Sequence, residues 1–178
     1  MKVVDFKKKL PKRLLPEQSA WMGLESILDD LIKRYNVENS LALEFGVEYG
    51  YSTIALSNFF TLVVGVDTFE GDTHSGHKEE YERAKKNCGE YDNIELVKAD
   101  YKDFIKSDDA WYDIIHIDIV HTYEDTYKCG KWAIQHAPVV IFHDTESFPE
   151  VRQAVEDLSK GKWDNYPKHN GLGIIHSL

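Results

Sequence analysis

The chain has 178 residues, 42% of them apolar and 29% charged, with a formal net charge of −10. That length suits one domain with a core large enough to hold without staples, and the composition excludes collagen-like, disordered and coiled-coil classes. No apolar run approaches the roughly 20 residues of a membrane helix, and an acidic body repels phosphate backbones, which argues against nucleic acid as a partner.

Residues 1–16 carry six Lys or Arg and one Asp, a net of +5 that leaves −15 for the rest. This basic arm reads as a solvated tail ahead of a single domain over 17–178. A homodimer through the arm and the first helix stays open. The arm holds no apolar stretch of signal-peptide length. The two cysteines, Cys88 and Cys129, form no CxxC pair, so a reducing, cytoplasmic setting is expected. Trp21, Leu24, Leu28, Leu31, Ile32 and Tyr35 recur at helical spacing and predict a helix over 18–35. A strand follows at 41–45, a turn at 46–50 and a helix at 52–59. Strand 62–67 leads to a polar segment at 70–78 and a helix over 78–88. Strands at 94–100 and 113–118 precede a helix over 122–136 and a strand at 139–144. Ser147-Phe148-Pro149-Glu150 reads as a helix start with Ser as cap and Pro in the first turn. Gly161 stops that helix, and 171–176 reads as a last strand. Alternating strands and helices predict an α/β domain with a parallel sheet.

The predicted strands end on acidic residues: Asp67, Asp100, Asp118 and the pair His143-Asp144, with Glu44 near the end of the first. Ligands of open parallel sheets bind outside the carboxyl ends of the strands, so these residues converge on one crevice. Gly46 and Gly50 mark the first strand-turn-helix junction, where Gly46 allows a tight turn and Gly50 close helix packing. Their spacing is not that of G-x-G-x-x-G. A dinucleotide would bring a pyrophosphate to this turn, but Glu44 and Glu48 bracket it. Two unit charges 4 Å apart repel by about 4 kcal/mol at intermediate dielectric. S-adenosylmethionine, with an ammonium and a sulfonium, suits the same loop. Asp67 then stands where a carboxylate accepts ribose hydroxyls, and Asp100 with Tyr101 where an amine and an aromatic base are met.

The chain from about 40 to 178 resembles the class I S-adenosylmethionine-dependent methyltransferases, in particular the methyltransferase-24-type small-molecule group. The matching pieces are Glu-x-Gly-x-x-x-Gly-x-Ser-Thr at 44–53, Val-Gly-Val-Asp-Thr-Phe-Glu-Gly-Asp at 64–72, Ile-His-Ile-Asp-x-x-His-Thr-Tyr at 115–123 and Ile-Phe-His-Asp-Thr at 141–145. Val-x-x-Ala-Val at 151–155 and Asn-Gly-Leu-Gly-Ile at 170–174 complete them. The resemblance implies a doubly wound, mostly parallel seven-stranded sheet of order 3-2-1-4-5-7-6, its last strand antiparallel, with helices on both faces. It implies cofactor contacts from Glu44, Gly46, Glu48, Tyr49, Gly50 and Ser52, from Asp67, Thr68 and Phe69, and from Asp100, Tyr101 and Asp118. Two positions depart from the pattern: Glu48 and Ile119 stand where relatives often have glycine.

A methyl transfer to a hydroxyl needs alignment, a proton acceptor or a metal. Asp118, His143 and Asp144 offer two carboxylates and an imidazole for a divalent cation such as Mg2+. His121, three residues after Asp118 at a helix start, is the expected general base, kept neutral by the helix N-terminus. His116 lies deeper and reads as a core histidine. Residues 70–77 read as a lid, with Asp72 and His74 as substrate contacts. The expected reaction is O-methylation of a small, sugar-like hydroxyl substrate. An NAD-dependent oxidoreductase and a non-catalytic cofactor-binding module are the alternatives.

Overall fold

Eight short strands, six of them rich in Val, Ile, Leu and Phe, hydrogen-bond into one sheet. The computed structural model describes residues 1–72 and 76–176, with Asp72 described by its backbone only. The strands are β1 (Lys2–Val3), β2 (Leu41–Phe45), β3 (Leu62–Asp67), β6 (Ile94–Lys98), β7 (Ile114–Ile117), β8 (Val139–His143), β9 (Asp164–Tyr166) and β10 (Leu172–His176), while β4 (Gly71–Asp72) and β5 (Gly76–His77) form a separate hairpin. The order is β1-β9-β10-β8-β7-β2-β3-β6. Without β1 this is the expected 3-2-1-4-5-7-6, and β10 is antiparallel to both β8 and β9.

Side chains alternate across the strands, so each face has its own core. Ala42, Val63, Ile114, Val139 and Ile141 pack under the 3-10 helix η1 (Leu24–Ile27), α1 (Leu28–Arg34) and α2 (Tyr51–Ser57). Leu43, Phe45, Ile115, Ile117, Val140 and Phe142 pack under α4 (Tyr101–Ser107), α5 (Tyr123–Ala133) and α6 (Pro149–Ser159). A smaller cluster joins Val47 and Phe69 to Ala84 of α3 (Tyr81–Cys88). The same alternation puts Glu44, His116, Asp118 and His143 on the η1–α2 face.

Several expectations change. The N-terminal arm is not a loose tail: β1 pairs with β9, and Val4 and Phe6 are buried in the first core. The helix expected over 18–35 begins only at Leu24, because Gly23 at φ +105 interrupts it. Helix α4 follows the third parallel strand unannounced, capped by the Asp100 carboxylate, which accepts from the Lys102 N–H at 2.7 Å. Helix α6 starts with Pro149 in its first turn, but Phe148 holds the cap position without a side-chain bond, so Ser147 does not cap it. Thr122 caps α5, its hydroxyl accepting from the Asp125 N–H. Among the described residues no helix is long and apolar enough to cross a membrane.

Candidate active site

The carboxyl ends of β2, β3, β7 and β8 open into a cavity of about 400 Å3. Its floor is the first part of the 46–50 loop, Gly46 to Glu48. Gly46 has φ +92, and a methyl built on it would meet the Asp118 carbonyl oxygen at 1.8 Å. Only glycine lets this loop close on the end of β7. The Asp67 carboxylate wires the loop from the next strand. Its Oδ2 accepts from the N–H groups of Val47 and Glu48 at 2.7 and 2.8 Å, and its Oδ1 from that of Phe69 at 2.7 Å. The Val47 and Glu48 N–H groups, two of the backbone donors a diphosphate would draw on, are thereby satisfied within the protein.

Glu48, where relatives often carry glycine, has φ +52. That is the left-handed region, costly for most side chains. Its carboxylate pairs with Lys78 Nζ at 2.5 Å. Ile119, the other departure, is outside the left-handed region, so its position does not require glycine. Of the residues expected to hold a cofactor, Gly46, Glu48, Ser52, Asp67, Thr68, Phe69, Asp100, Tyr101 and Asp118 line the cavity. Tyr101 is mostly buried, and its hydroxyl donates to Asp125 at 2.6 Å.

Glu44, Tyr49 and Gly50 do not line the cavity but support it from behind. Glu44 is fully buried and accepts from Thr53 Oγ1 and from His116 Nδ1, the latter at 2.9 Å. His116 Nε2 accepts from the Trp21 indole N–H at 3.1 Å, so His116 is a satisfied core residue as expected. Tyr49 donates to the Gln18 carbonyl and stacks under Arg83. Gly50 precedes α2 at φ +99, close against Cys88. Of the expected substrate contacts, His74 lies outside the described residues, and Asp72 stands in the β4–β5 hairpin.

At the far end of the cavity four side chains meet. His143 Nδ1 lies 3.0 Å from Asp118 Oδ2 and 3.4 Å from Asp144 Oδ2. His121 Nε2 lies 2.8 Å from Asp144 Oδ2 and 3.6 Å from Asp118 Oδ1. Asp144 has φ +65, which turns its carboxylate off the end of β8 toward both rings. Asp tolerates that region better than most residues. Phe148 lies flat on His121, with centroids 4.0 Å apart and planes 10° apart.

Burial alone would lower both imidazoles. The hydrogen bonds and charges of Asp118 and Asp144 overcome it, raising His121 to about 9 and His143 to about 10. The carboxyls move the other way. Burial would raise Asp118, but His143 and His121 hold it far below its usual value, and they lower Asp144 likewise. The expected neutral His121 is thus corrected, because two carboxylates outweigh the helix N-terminus.

The donor set fits a divalent cation. One ligand atom each from Asp118, His143 and Asp144 lie within 4.8 Å of one another. His143 Nε2 is 3.3 Å from the His169 carbonyl oxygen. With Nε2–H donating there, Nδ1 is the nitrogen that faces the two carboxylates: in the raised imidazolium it carries a proton toward them, and a cation held among the three would take that proton's place.

The cavity also fits a cationic donor. Glu48, Asp67, Glu80, Asp100, Asp118 and Asp144 line it, against Lys78, Lys102 and the raised imidazoles of His121 and His143, which leaves an acidic excess. Lys102 is drawn onto Asp125 at 2.6 Å, as Lys78 is onto Glu48. Sequence reasoning missed the wall formed by Ser19, Ala20 and Trp21. It also missed Phe148 and the His169 carbonyl, since no local pattern announces a backbone oxygen or a stacking partner.

Comparison with known proteins gives a consistent picture. Residues 43–145 match the model of a family described as a methyltransferase domain. An uncharacterized protein (y4gI) of Sinorhizobium fredii is 27% identical over 158 residues, covering 75% of this chain, which spans only 16% of that protein. The O-methyltransferase of Bacillus cereus, solved in complex with the demethylated cofactor, superposes with TM-score 0.64 at 16% identity, over 94% of this chain and 84% of that one. TomG of Streptomyces achromogenes, an O-methyltransferase of tomaymycin synthesis solved with S-adenosylmethionine, gives TM-score 0.65 at 17% identity, over 90% and 82%. At these identities the two structures establish the shared fold.

Proposed function

The chain belongs to the class I S-adenosylmethionine-dependent methyltransferases, and from that premise we propose that it methylates a hydroxyl of a small, sugar-like acceptor. The observation that carries the reading is the meeting of Asp118, His121, His143 and Asp144 at one end of an acidic cavity. S-adenosylmethionine, when bound, supplies a methyl group activated by a positively charged sulfur. The residues assigned to hold it are Gly46, Glu48, Ser52, Asp67, Thr68, Phe69, Asp100, Tyr101 and Asp118, with Glu44, Tyr49 and Gly50 shaping the loop beneath. Their carboxylates favour a cation over a diphosphate by Coulomb attraction in a partly desolvated site.

Asp118, His143 and Asp144 would hold a divalent ion, which would polarise the acceptor hydroxyl. His121 is assigned the proton lost by that hydroxyl, at Nδ1, because Nε2 faces Asp144, and it accepts only as the neutral imidazole, which its raised pKa of about 9 makes the minor form at neutral pH. Asp144 orients the ring from 2.8 Å, and Phe148 fixes its plane. The imidazolium so formed is stabilised by the neighbouring carboxylates, as in carboxylate-supported acid–base pairs. The acceptor oxygen gains the methyl carbon, the sulfur keeps the bonding electron pair, and His121 gains the proton. Asp72 and His74 are assigned to the acceptor side from the sequence.

The test is transfer of labelled methyl from S-adenosylmethionine to a panel of diols and sugars, with and without chelator. His121→Ala should lower turnover by roughly 100-fold or more with little change in cofactor affinity. Unchanged turnover would remove His121 from the reaction.

A further inference from the structure

We propose that the strip from Lys7 to Arg13 docks the chain on an anionic lipid surface, with Leu10 as the apolar side chain that enters it. The inference is independent of the methyl-transfer reading. Five of the seven residues in this strip are basic and none is acidic. Seven residues span at most about 25 Å of chain, so the charges lie close together. Lys7, Lys8, Lys9 and Lys12 are all exposed. Lys8 and Lys12 meet no carboxylate at ion-pair distance among the described residues, while Lys9 shares Asp29 with Lys33. Arg13 spends its guanidinium on neutral groups, Asn93 Oδ1 at 2.7 Å and the Ser57 carbonyl at 3.4 Å, so no carboxylate cancels its charge there.

Leu10 stands in the middle of this strip and is 64% exposed, more than any other large apolar side chain among the described residues. A leucine ringed by lysines suits the boundary of a bilayer. The apolar side chain enters the acyl region, and the lysine stems lie along it with their ammonium groups at the phosphates. A soluble polyanion would use the lysines and leave the leucine in water. The strip is also held in place before it docks. Val4 and Phe6 are buried just ahead of it, and the Lys9 N–H donates to the Ser26 carbonyl at 2.7 Å. The Asn58 side-chain amide grips Arg13 twice, accepting from its N–H at 2.7 Å and donating to its carbonyl at 2.9 Å. Docking a backbone already fixed avoids part of the ordering cost of association. The acidic body does not cancel the strip, because charges in water are screened beyond about 8 Å at physiological salt. Of the carboxylates on neighbouring α1, Asp29 pairs with Lys33 at 2.7 Å and Asp30 with Arg34 at 3.1 Å.

The test is sedimentation of the full chain with vesicles of phosphatidylcholine containing about 30% phosphatidylglycerol, against vesicles of phosphatidylcholine alone. An exposed lysine at such a surface is worth about fivefold in affinity and the leucine about tenfold. The wild type should therefore be half bound between about 0.1 and 1 mM accessible lipid in the anionic vesicles, come off at about 0.5 M salt, and ignore the neutral vesicles. Lys8→Ala combined with Lys12→Ala should weaken binding about 30-fold. Leu10→Ser, which changes no charge, should weaken it about tenfold. Both alter exposed side chains, and denaturation midpoints should match the wild type. No sedimentation at about 10 mM anionic vesicle lipid, or equal binding to the neutral vesicles, would overturn the proposal without recourse to any variant. Vesicle binding indifferent to Leu10→Ser, with heparin holding wild type and variant alike, would mark a general polyanion site and overturn the assignment to a bilayer.

Discussion

Replacing Asp67 by Asn removes one charge and almost no volume, so its effect on stability without cofactor isolates the wiring of the cofactor loop. In the wild type three backbone N–H groups, of Val47, Glu48 and Phe69, donate to this carboxylate at 2.7–2.8 Å. A hydrogen bond to a charged group contributes about 1.5–3 kcal/mol and a neutral one about 0.5–1.5. The Asn oxygen can still accept from Val47 and Glu48, at a loss of about 1 kcal/mol each. Its NH2 group would face the Phe69 N–H, donor against donor, so the third bond is lost outright. The sum is roughly 4 kcal/mol, a large share of the 5–15 kcal/mol that holds a typical domain. Urea denaturation with and without saturating demethylated cofactor measures both consequences: the stability loss, and a cofactor affinity lowered by about tenfold or more. A variant within about 0.5 kcal/mol of wild type, with unchanged cofactor affinity, would refute the wiring.

Gly46→Ala should cost roughly 2–5 kcal/mol, combining left-handed backbone strain with a backbone clash at Asp118. Denaturation midpoints check it, and a neutral result would mean the loop does not close on β7. Titration with Mn2+ followed by electron paramagnetic resonance should show one saturable site, lost in Asp144→Asn; no specific binding by the wild type would remove the metal from the account. Burial pushes Cys88 up to about 12 and Cys129 well above its usual value. Both thiols should therefore stay protonated at pH 8 and resist iodoacetamide in the native protein, yet react in denaturant. Labelling of either in the folded chain, read by mass spectrometry, would contradict the packing.

The strands β2, β3, β7 and β8 were legible as short, largely apolar runs ending at or near acidic residues, whereas the order of the sheet came from the family resemblance. The edges were not legible. Strand β9 is three residues, Asp164–Tyr166, without an apolar alternation, and β1 is two residues inside a lysine-rich arm. Their pairing is set by tertiary contact, with Met1 N bonded to Gly161 O at 2.7 Å and Val4 N to Asn165 O at 2.9 Å. Helix α4 has a readable signal in Asp100, whose carboxylate serves as its cap as well as lining the cavity. In the site, the period of two put Glu44 and Asp118 on one face, but it does not say which carboxylate is spent internally. Glu44 bonds His116 and Thr53, and Asp67 bonds its neighbouring loop, so both act first as struts. The protonated state of His121 depends on Asp118 and Asp144 arriving from two strands, which no local reading of the helix start contains.

The central claim is that this loop and its carboxylates receive a positively charged methyl donor and leave no cradle for a diphosphate. Calorimetry of the full chain with S-adenosylmethionine, its demethylated product and NAD+ tests it most directly. The expected result is saturable binding of the first two with Kd near 10 µM and no heat from NAD+. Saturable NAD+ binding with S-adenosylmethionine silent would contradict it.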